Sequence, residues 1–384
     1  MSERQLRWYE FFAGGGMARL GLGGEWQCTF ANEICEKKAS AYRAFFGPSP
    51  ELRVADVASL SAKDLPGIPD LVWGSFPCQD LSLAGSGAGL KGKRSGTFHA
   101  FWRLVSAMVR ERRAPKVVAV ENVVGAVSSH QGRDFTSIVR AFAESGYRVD
   151  AVIVNAVHFL PQSRPRLFVV GFHGREPIPQ TLTSSVPWHQ WHPQNLVKAY
   201  ERLPEDLARC WTWWTLPLPT KSIPSLASVI EDPPTGTTWH TDFETKRLFH
   251  LMAASHRKQV EEALRAGNRH IGTLYKRTRP NHMGVMSQRA EVRFDGISGC
   301  LRTPVGGSSR QTLVIINKGR MRTRLLSPRA AARLMGVPDS YPLPASYNDA
   351  YHLFGDGVAV PVVGWLNNHL LRPLADPRSF EQVA

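Results

Sequence analysis

Two kinds of apolar pattern alternate along the first 175 residues. "RWYEFFAGGG", "DLVWGSF" and "KVVAVEN" each carry a short, nearly unbroken apolar run, the pattern of a strand covered on both faces. Between the last two, Phe98, Phe101, Trp102, Val105, Met108 and Val109 recur at steps of three and four, which predicts a helix with one buried face. Phe135, Ile138, Val139 and Phe142 predict a second, and Gly146 is placed to end it. "RVDAVIVNA" and "RLFVVGF" flank a proline-containing loop and read as a pair of strands. Repeated strand–helix units imply an α/β fold built on a doubly wound, mostly parallel sheet with an antiparallel edge strand.

Near residue 175 the periodicity becomes patchy, and Pro, Trp, Thr and Arg become frequent. One clear helix is expected near 245–266, ended by Gly267. Regularity returns after 320, where "LSPRAAARLMGVP" offers Ser327 as N-cap, Pro328 at the first helical position and Gly336 past the end. "FGDGVAVPVVGWL" then supplies a glycine turn running into a last helix. The reading is a discontinuous domain over 1–178 and 320–384 with a smaller one, 179–319, inserted. Residues 181–320 hold 19 Lys and Arg against 11 Asp and Glu, so more than half of the net charge of +15 sits there. A polyanionic partner is implied.

Length and composition fit a globular chain with more than one core: 384 residues, 43% of them hydrophobic. No apolar run is long enough for a bilayer, and "MSERQLRWYEFF" has no signal-peptide pattern. The cysteines, at 28, 35, 78, 210 and 300, lack paired spacing, which argues for a reducing compartment and against a metal site or disulfide framework.

Candidate chemistry gathers where parallel strands would end, since ligands of such sheets bind outside the carboxyl ends. The glycine turn after "YEFF" lets backbone approach a ligand closely, though a plain tight turn explains it equally well. Glu33 would follow the second strand, where a carboxylate takes a ribose hydroxyl, and Asp56 the third, where it could accept from an adenine amino group. Cys78 in "GSFPCQDLS" lies past one strand end, and Glu121 and Asn122 in "VAVENVVG" past another. Arg164 and Arg166 in "PQSRPRLFVVG" stand at the start of a reversed strand, which returns them to the same edge. Taken singly, Cys78 reads as a core thiol and the arginines as surface groups. Converging, they read as a site.

The ordered set "FFAGGG", "GSFPCQDLS", "ENV", "QSRPR", "SPRAAARLMGVP" and "FGDGVAV" resembles the DNA cytosine-5 methyltransferases over nearly the whole chain outside 180–290. The resemblance implies a Rossmann-like class I domain that binds S-adenosylmethionine and yields S-adenosylhomocysteine, with a target-recognition domain inserted. It implies Cys78 as the nucleophile that adds to cytosine C6, helped by a nearby guanidinium. Glu121 becomes the acid at N3, a role that calls for a carboxyl group in a dry pocket. Arg166, with Arg164, would grip the base at O2 and hold Glu121. The target base would have to be flipped out of the duplex.

By the same resemblance Phe12 packs on adenine and Gly14 and Gly16 allow close approach. Glu33, Asp56, Val57, Pro77, Asn122, Asp356 and Val358 complete the cofactor set. Departures from the family pattern are Glu10 for the commoner Asp, Met17 for a glycine, Ile34 for an aromatic, Asp356 for Asn and Cys300 for Thr. Gln79, Ser82, Lys91, Lys93 and Arg94 are expected against the DNA, with the loop "LAGSGAGLKGKRSGT" closing on the backbone. Arg302, Arg310 and Gln311 are candidate readers of base edges, while "CWTWWTLPLP" reads as core. The implied partner is double-stranded DNA, with room for a cognate restriction endonuclease in the same system. No membrane or obligate protein partner is implied, and a cytoplasmic monomer is expected. Two alternatives stay open: an RNA cytosine-5 methyltransferase, whose tRNA-acting relatives carry a Cys-Phe-Thr motif not found here, and an inactive DNA-binding regulator of the same fold.

Overall fold

A computed structural model describes residues 4–77, 97–174, 178–280, 284–302 and 310–376. It divides into two compact units: Met1–Asn155, Pro165–Pro219 and Val360–Ala384 in the first, Ala156–Arg164 and Thr220–Ala359 in the second.

The first unit opens with β1 (Leu6–Phe11), α1 (Met17–Leu22), β2 (Trp26–Glu33), α2 (Glu36–Phe46), β3 (Leu52–Val54) and β4 (Leu71–Gly74). It continues with α3 (Thr97–Arg110), β5 (Val117–Val123), α4 (Arg133–Glu144), β6 (Tyr147–Asn155) and β7 (Pro165–His173). These strands form one sheet in the order β3-β2-β1-β4-β5-β7-β6. Only β7 runs antiparallel to its neighbours. The reversed strand therefore lies one place in from the margin, and β6 is the edge. The apolar runs mean what they suggested: Leu71–Gly74 is buried throughout, as are Val117–Val120. Alternate residues Val72, Val118, Val120 and Val169 share a core with Phe101, Trp102 and Met108 of α3 and Phe142 of α4. Gly74 and Gly171 make room for rings of those helices, since a Cβ would lie 3.1 Å from the Phe101 ring at one and 2.3 Å from Phe142 at the other.

The chain then covers the sheet with β8 (Thr183–Ser184), α5 (Gln194–Tyr200), α6 (Glu205–Ala208) and β9 (Trp213–Trp214). Trp214 is buried and donates its indole N–H to Val170 O, and Trp191 donates to Leu216 O. Within "CWTWWTLPLP", Trp213, Trp214 and Leu216 are thus core, as expected, while Leu218 is exposed. This tryptophan-rich stretch also explains why the first unit runs on to Pro219 although the composition changes near 178.

The second unit contains α7 (Leu226–Val229), α8 (Asp242–His250), α9 (Ala254–Ala266), β10 (His270–Pro280), β11 (Met286–Arg293), β12 (Thr312–Asn317), β13 (Arg320–Leu325), α10 (Pro328–Leu334) and α11 (Tyr347–Asp356). Its strands form an antiparallel sheet, β11-β10-β12-β13. The single helix expected over 245–266 is two. Buried Met252 pairs with Ala290, and Leu251 O accepts from Ala290 N, so the chain leaves the helical path there. Leu248, Met252, Val260 and Ala263 cover one sheet face, Leu274, Ala290, Val292, Val314 and Ile316. Ser327 caps α10 by accepting from Ala330 N, with Pro328 at the first turn. The chain returns to the first unit as α12 (Val360–Leu366) and α13 (Arg372–Ala375). α12 packs on α1, with Gly364 close to Gly21 O. No helix among the described residues is long and apolar enough to cross a membrane.

Candidate active site

β1 is the switch point of the first unit's sheet: the chain steps outward to β2 and β3, then crosses to β4 on the other side. The crevice at the carboxyl ends of β1 and β4 is where such a sheet binds a ligand. After β1 the backbone turns through positive φ at Phe12 (59°), Gly14 (56°) and Gly16 (78°). The two glycines serve different ends. Gly14 faces open space, with nothing within 4 Å of a built Cβ. At Gly16 a Cβ would meet Phe46 at 2.3 Å and Tyr42 at 3.0 Å, so its bare backbone admits α2. Of the two, both expected to allow close approach of a ligand, Gly14 is the one with open space beside it. Met17, where the family pattern has glycine, is buried in the first turn of α1.

Glu33, at the end of β2, holds this turn. Its Oε2 accepts from Gly14 N and its Oε1 from Cys35 N, both at 2.8 Å. Each oxygen keeps a second lone pair for another donor. Asp56 is exposed and caps the 3₁₀ turn at Val57 by accepting from Ala58 N. Ile34 stands beside Glu33 and is 65% exposed, an apolar surface at the same edge. Phe12 is half-buried and packs near Phe101. Behind the turn, Glu10 is fully buried, and burial pushes its carboxyl up to about 8 against the opposing pull of Arg19. Arg19 in turn donates to Tyr42 Oη at 2.8 Å and to Glu51 at 2.6 Å.

Two strands across, Glu121 and Arg166 meet. Antiparallel register sets Glu121 opposite Phe168 and Val123 opposite Arg166, so acid and guanidinium are diagonal neighbours on one face. Arg166 Nε lies 3.0 Å from Glu121 Oε1, and both side chains are largely buried. Asn122 points to the other face, where its Nδ2 donates to Phe76 O at 3.1 Å and its Oδ1 accepts from Val123 N. That bond ties the end of β5 to the segment leading into Pro77. Cys78, Gln79, Ser82, Lys91, Lys93 and Arg94 lie outside the described residues.

In the second unit, three of the expected site residues, Arg164, Arg310 and Gln311, hold protein groups. Arg164 is buried and donates to the carbonyls of Leu301, Gly355 and Gly357, and to Cys300 Sγ at 3.3 Å. It clasps the glycine turn after α11 to the 300–301 segment. Gln162 does similar work, donating to Leu334 O and accepting from Leu301 N. Gln311 is fully buried and donates to Leu274 O. Arg310 is half-buried against α11, donating to Asn348 with its guanidinium over the Tyr347 ring. Arg302 is exposed, as a reader must be, and lies 5.8 Å from the Tyr275 ring centroid. Asp356 ends α11 exposed, and Val358 is buried.

The open sheet, with a glycine turn and carboxylates at its switch point and an acid–guanidinium pair two strands away, defines a doubly wound α/β enzyme. The chain belongs to the C-5 cytosine-specific DNA methylases, whose family model matches residues 6–372. It is a DNA cytosine-5 methyltransferase. It is similar to the type II methyltransferase M.HpaII of Haemophilus parainfluenzae, with 28% identity over 96% of this chain and 89% of the relative. M.HhaI of Haemophilus parahaemolyticus is 27% identical over 94% and 93%. Among solved structures, S. pombe Dnmt2 methyltransferase matches with a TM-score of 0.55 and 16% identity, covering 96% of this chain and 99% of that one, a likeness of fold.

Proposed function

We propose that the enzyme transfers the methyl group of S-adenosylmethionine to cytosine C5 in a specific DNA sequence, with Cys78 as nucleophile and Glu121 and Arg166 acting on the base. The observation that carries this reading is the Glu121–Arg166 pair, joined through Asn122 and Phe76 to the segment that leads into Cys78. The residues at the switch point fit the cofactor. Gly14 leaves space beside the turn, Glu33 and Asp56 offer acceptors for ribose and adenine donors, and Phe12 and Ile34 offer apolar surface. Val57, Pro77, Asn122, Asp356 and Val358 complete the proposed set, with Gly16 supporting the turn. When bound, S-adenosylmethionine supplies an electrophilic methyl group.

The chain's own part is to make C5 nucleophilic. Cytosine C5 is a weak nucleophile until a thiolate adds at C6 and leaves an enamine-like ring. Cys78 forms that S–C6 bond. Glu121 stabilises the charge that moves to N3 by proton donation or hydrogen bonding, and Arg166 holds Glu121 and contacts O2. After methylation the C5 proton is lost to solvent and elimination expels the Cys78 thiolate. Arg164 fixes the 355–357 turn. The base must leave the stack to reach these groups. Gln79, Ser82, Lys91, Lys93 and Arg94 are assigned to the DNA around it, and the basic second unit to choosing the sequence. The type II methyltransferases among its relatives support a place in a restriction–modification pair, acting on DNA in the cytoplasm. The test is incubation with tritiated S-adenosylmethionine and either duplex DNA or tRNA. Label at cytosine C5 of DNA is expected. Label on RNA alone, or on neither, contradicts the reading.

A further inference from the structure

The sheet of the second unit has one face covered by α8 and α9 and an opposite face that carries an unusual charge pattern. Antiparallel register sets Arg277 of β10 directly opposite Arg289 of β11, and Tyr275 opposite Glu291, all on that second face. Like charges directly opposite on a sheet repel. Glu291 relieves part of this, with its Oε2 3.0 Å from Arg277 Nε. Arg302 adds a third guanidinium, since it and Arg277 lie 5.8 and 5.7 Å from the centroid of the Tyr275 ring. That ring is itself fixed: its hydroxyl donates to Cys300 O, and Gly299 has no Cβ because one would lie 2.1 Å from the ring. Farther along the face, Arg293 is neutralised by Asp295. Among the described residues, Glu291 is the one carboxylate paired into the patch of Arg277, Arg289 and Arg302, so the patch keeps a net positive charge.

The three arginines are not equivalent. Arg277 is braced on one side by a carboxylate and on another by an aromatic ring, and its side chain is 35% exposed. A guanidinium held in this way has little rotamer entropy left to lose and presents a fixed donor fork, the geometry that reads O6 and N7 of guanine. Among the described residues no carboxylate pairs with Arg289. Its charge suits a phosphate, which takes any orientation of the fork.

We propose that Arg277, braced by Glu291 and Tyr275, reads a guanine of the recognition sequence in the major groove, and that Arg289 contacts a backbone phosphate beside it. The assignment rests on the reading that the second unit selects the sequence. It names residues outside the stretch where the sequence pattern placed the readers.

The experiment maps methylation on a random-sequence duplex library by bisulfite sequencing, at two salt concentrations, for the wild type and for Arg277→Ala, Arg277→Lys, Glu291→Gln, Arg289→Ala and Arg302→Ala. Thermal melting of each variant establishes that it folds. Arg277→Ala should cut the preference for guanine at one position of the site by about 10-fold or more and leave the other positions unchanged. Arg277→Lys should do the same, because charge is kept and the fork is lost. Glu291→Gln should weaken the same position by a smaller factor. Arg289→Ala should lower methylation of all sites alike and reduce the slope of log affinity against log salt by about 0.9. A folded Arg277→Ala protein with the wild-type preference at every position overturns the proposal. If Arg302→Ala then changes the preference, the second unit still selects the sequence through other residues. If none of these variants changes it, and exchange of residues 220–359 for those of a relative does not either, the reading beneath the proposal fails too.

Discussion

Glu10 shows how a single departure from a family pattern becomes legible only in three dimensions. Its carboxyl is fully buried behind the glycine turn, and its Oε2 has no hydrogen-bond partner among the described residues. The neutral acid suits that site better than the anion, which is why burial pushes it up to about 8. A group whose folded value is raised binds its proton more tightly in the native state. Stability is therefore full at acid pH, falls as pH rises above the usual carboxylate range, and levels off only above about 8. Glu10→Gln, which keeps the size of the side chain and cannot ionise, should flatten the decline in melting temperature between pH 6 and pH 9. An unchanged slope would show that Glu10 does not titrate there. At the other pair, Arg166→Ala leaves Glu121 without its guanidinium. It should lower kcat on the order of 100-fold with a smaller change in DNA affinity, because the lost contact acts on the reacting base. Single-turnover methylation and filter binding separate the two quantities.

At the scale of elements, the clearest dependence is on the edge strand β6. Asp150 is fully buried, and its Oδ2 accepts from His192 Nε2 at 2.9 Å and from Trp214 N at 2.6 Å. Trp188 N donates to His192 Nδ1, which leaves the Nε2 proton for the carboxylate. Desolvation raises the Asp150 carboxyl against the pull of His192. This network fastens the tryptophan-rich 182–216 cover to the sheet. Asp150→Ala leaves buried donors unpaired and should destabilise the protein by about 3 kcal/mol, read as a lowered urea midpoint. The strands β1, β4 and β5 and the helices α3 and α4 were legible in the sequence because burial on two faces and on one leaves different periodicities. The split between α8 and α9 was not, since the pairing of Met252 with Ala290 is a long-range contact that local pattern does not encode. The site divided the same way. Glu33, Glu121 and Arg166 were expected at strand ends, and that is where they stand. The retreat of Arg164 and Gln311 into backbone hydrogen bonds depends on which carbonyls the second unit brings to them. The alternation of Tyr275, Arg277 and Arg289 was visible as residue types, but its meaning needed the register.

For the whole molecule, the proposed division of labour gives chemistry to the sheet unit and choice of sequence to the basic unit. The sequence motifs showed both parts and the basic character of the second. The unit boundaries at Pro219 and Val360 were not legible, because composition changes before packing does. Exchange of residues 220–359 for those of a relative with a different specificity should move methylation to the relative's site while cytosine C5 remains the target. The chemistry proposed for the sheet unit turns on a covalent bond from Cys78 to C6. The most direct measurement uses duplex DNA carrying 5-fluorocytosine in the methylated site, incubated with S-adenosylmethionine and the wild type or Cys78→Ala. Fluorine cannot leave C5 as a proton does, so the bond that Cys78 forms should persist. A protein–DNA adduct is expected on a denaturing gel for the wild type and none for Cys78→Ala. No adduct from a wild-type protein that methylates ordinary cytosine, or an equal adduct from Cys78→Ala, would contradict that mechanism.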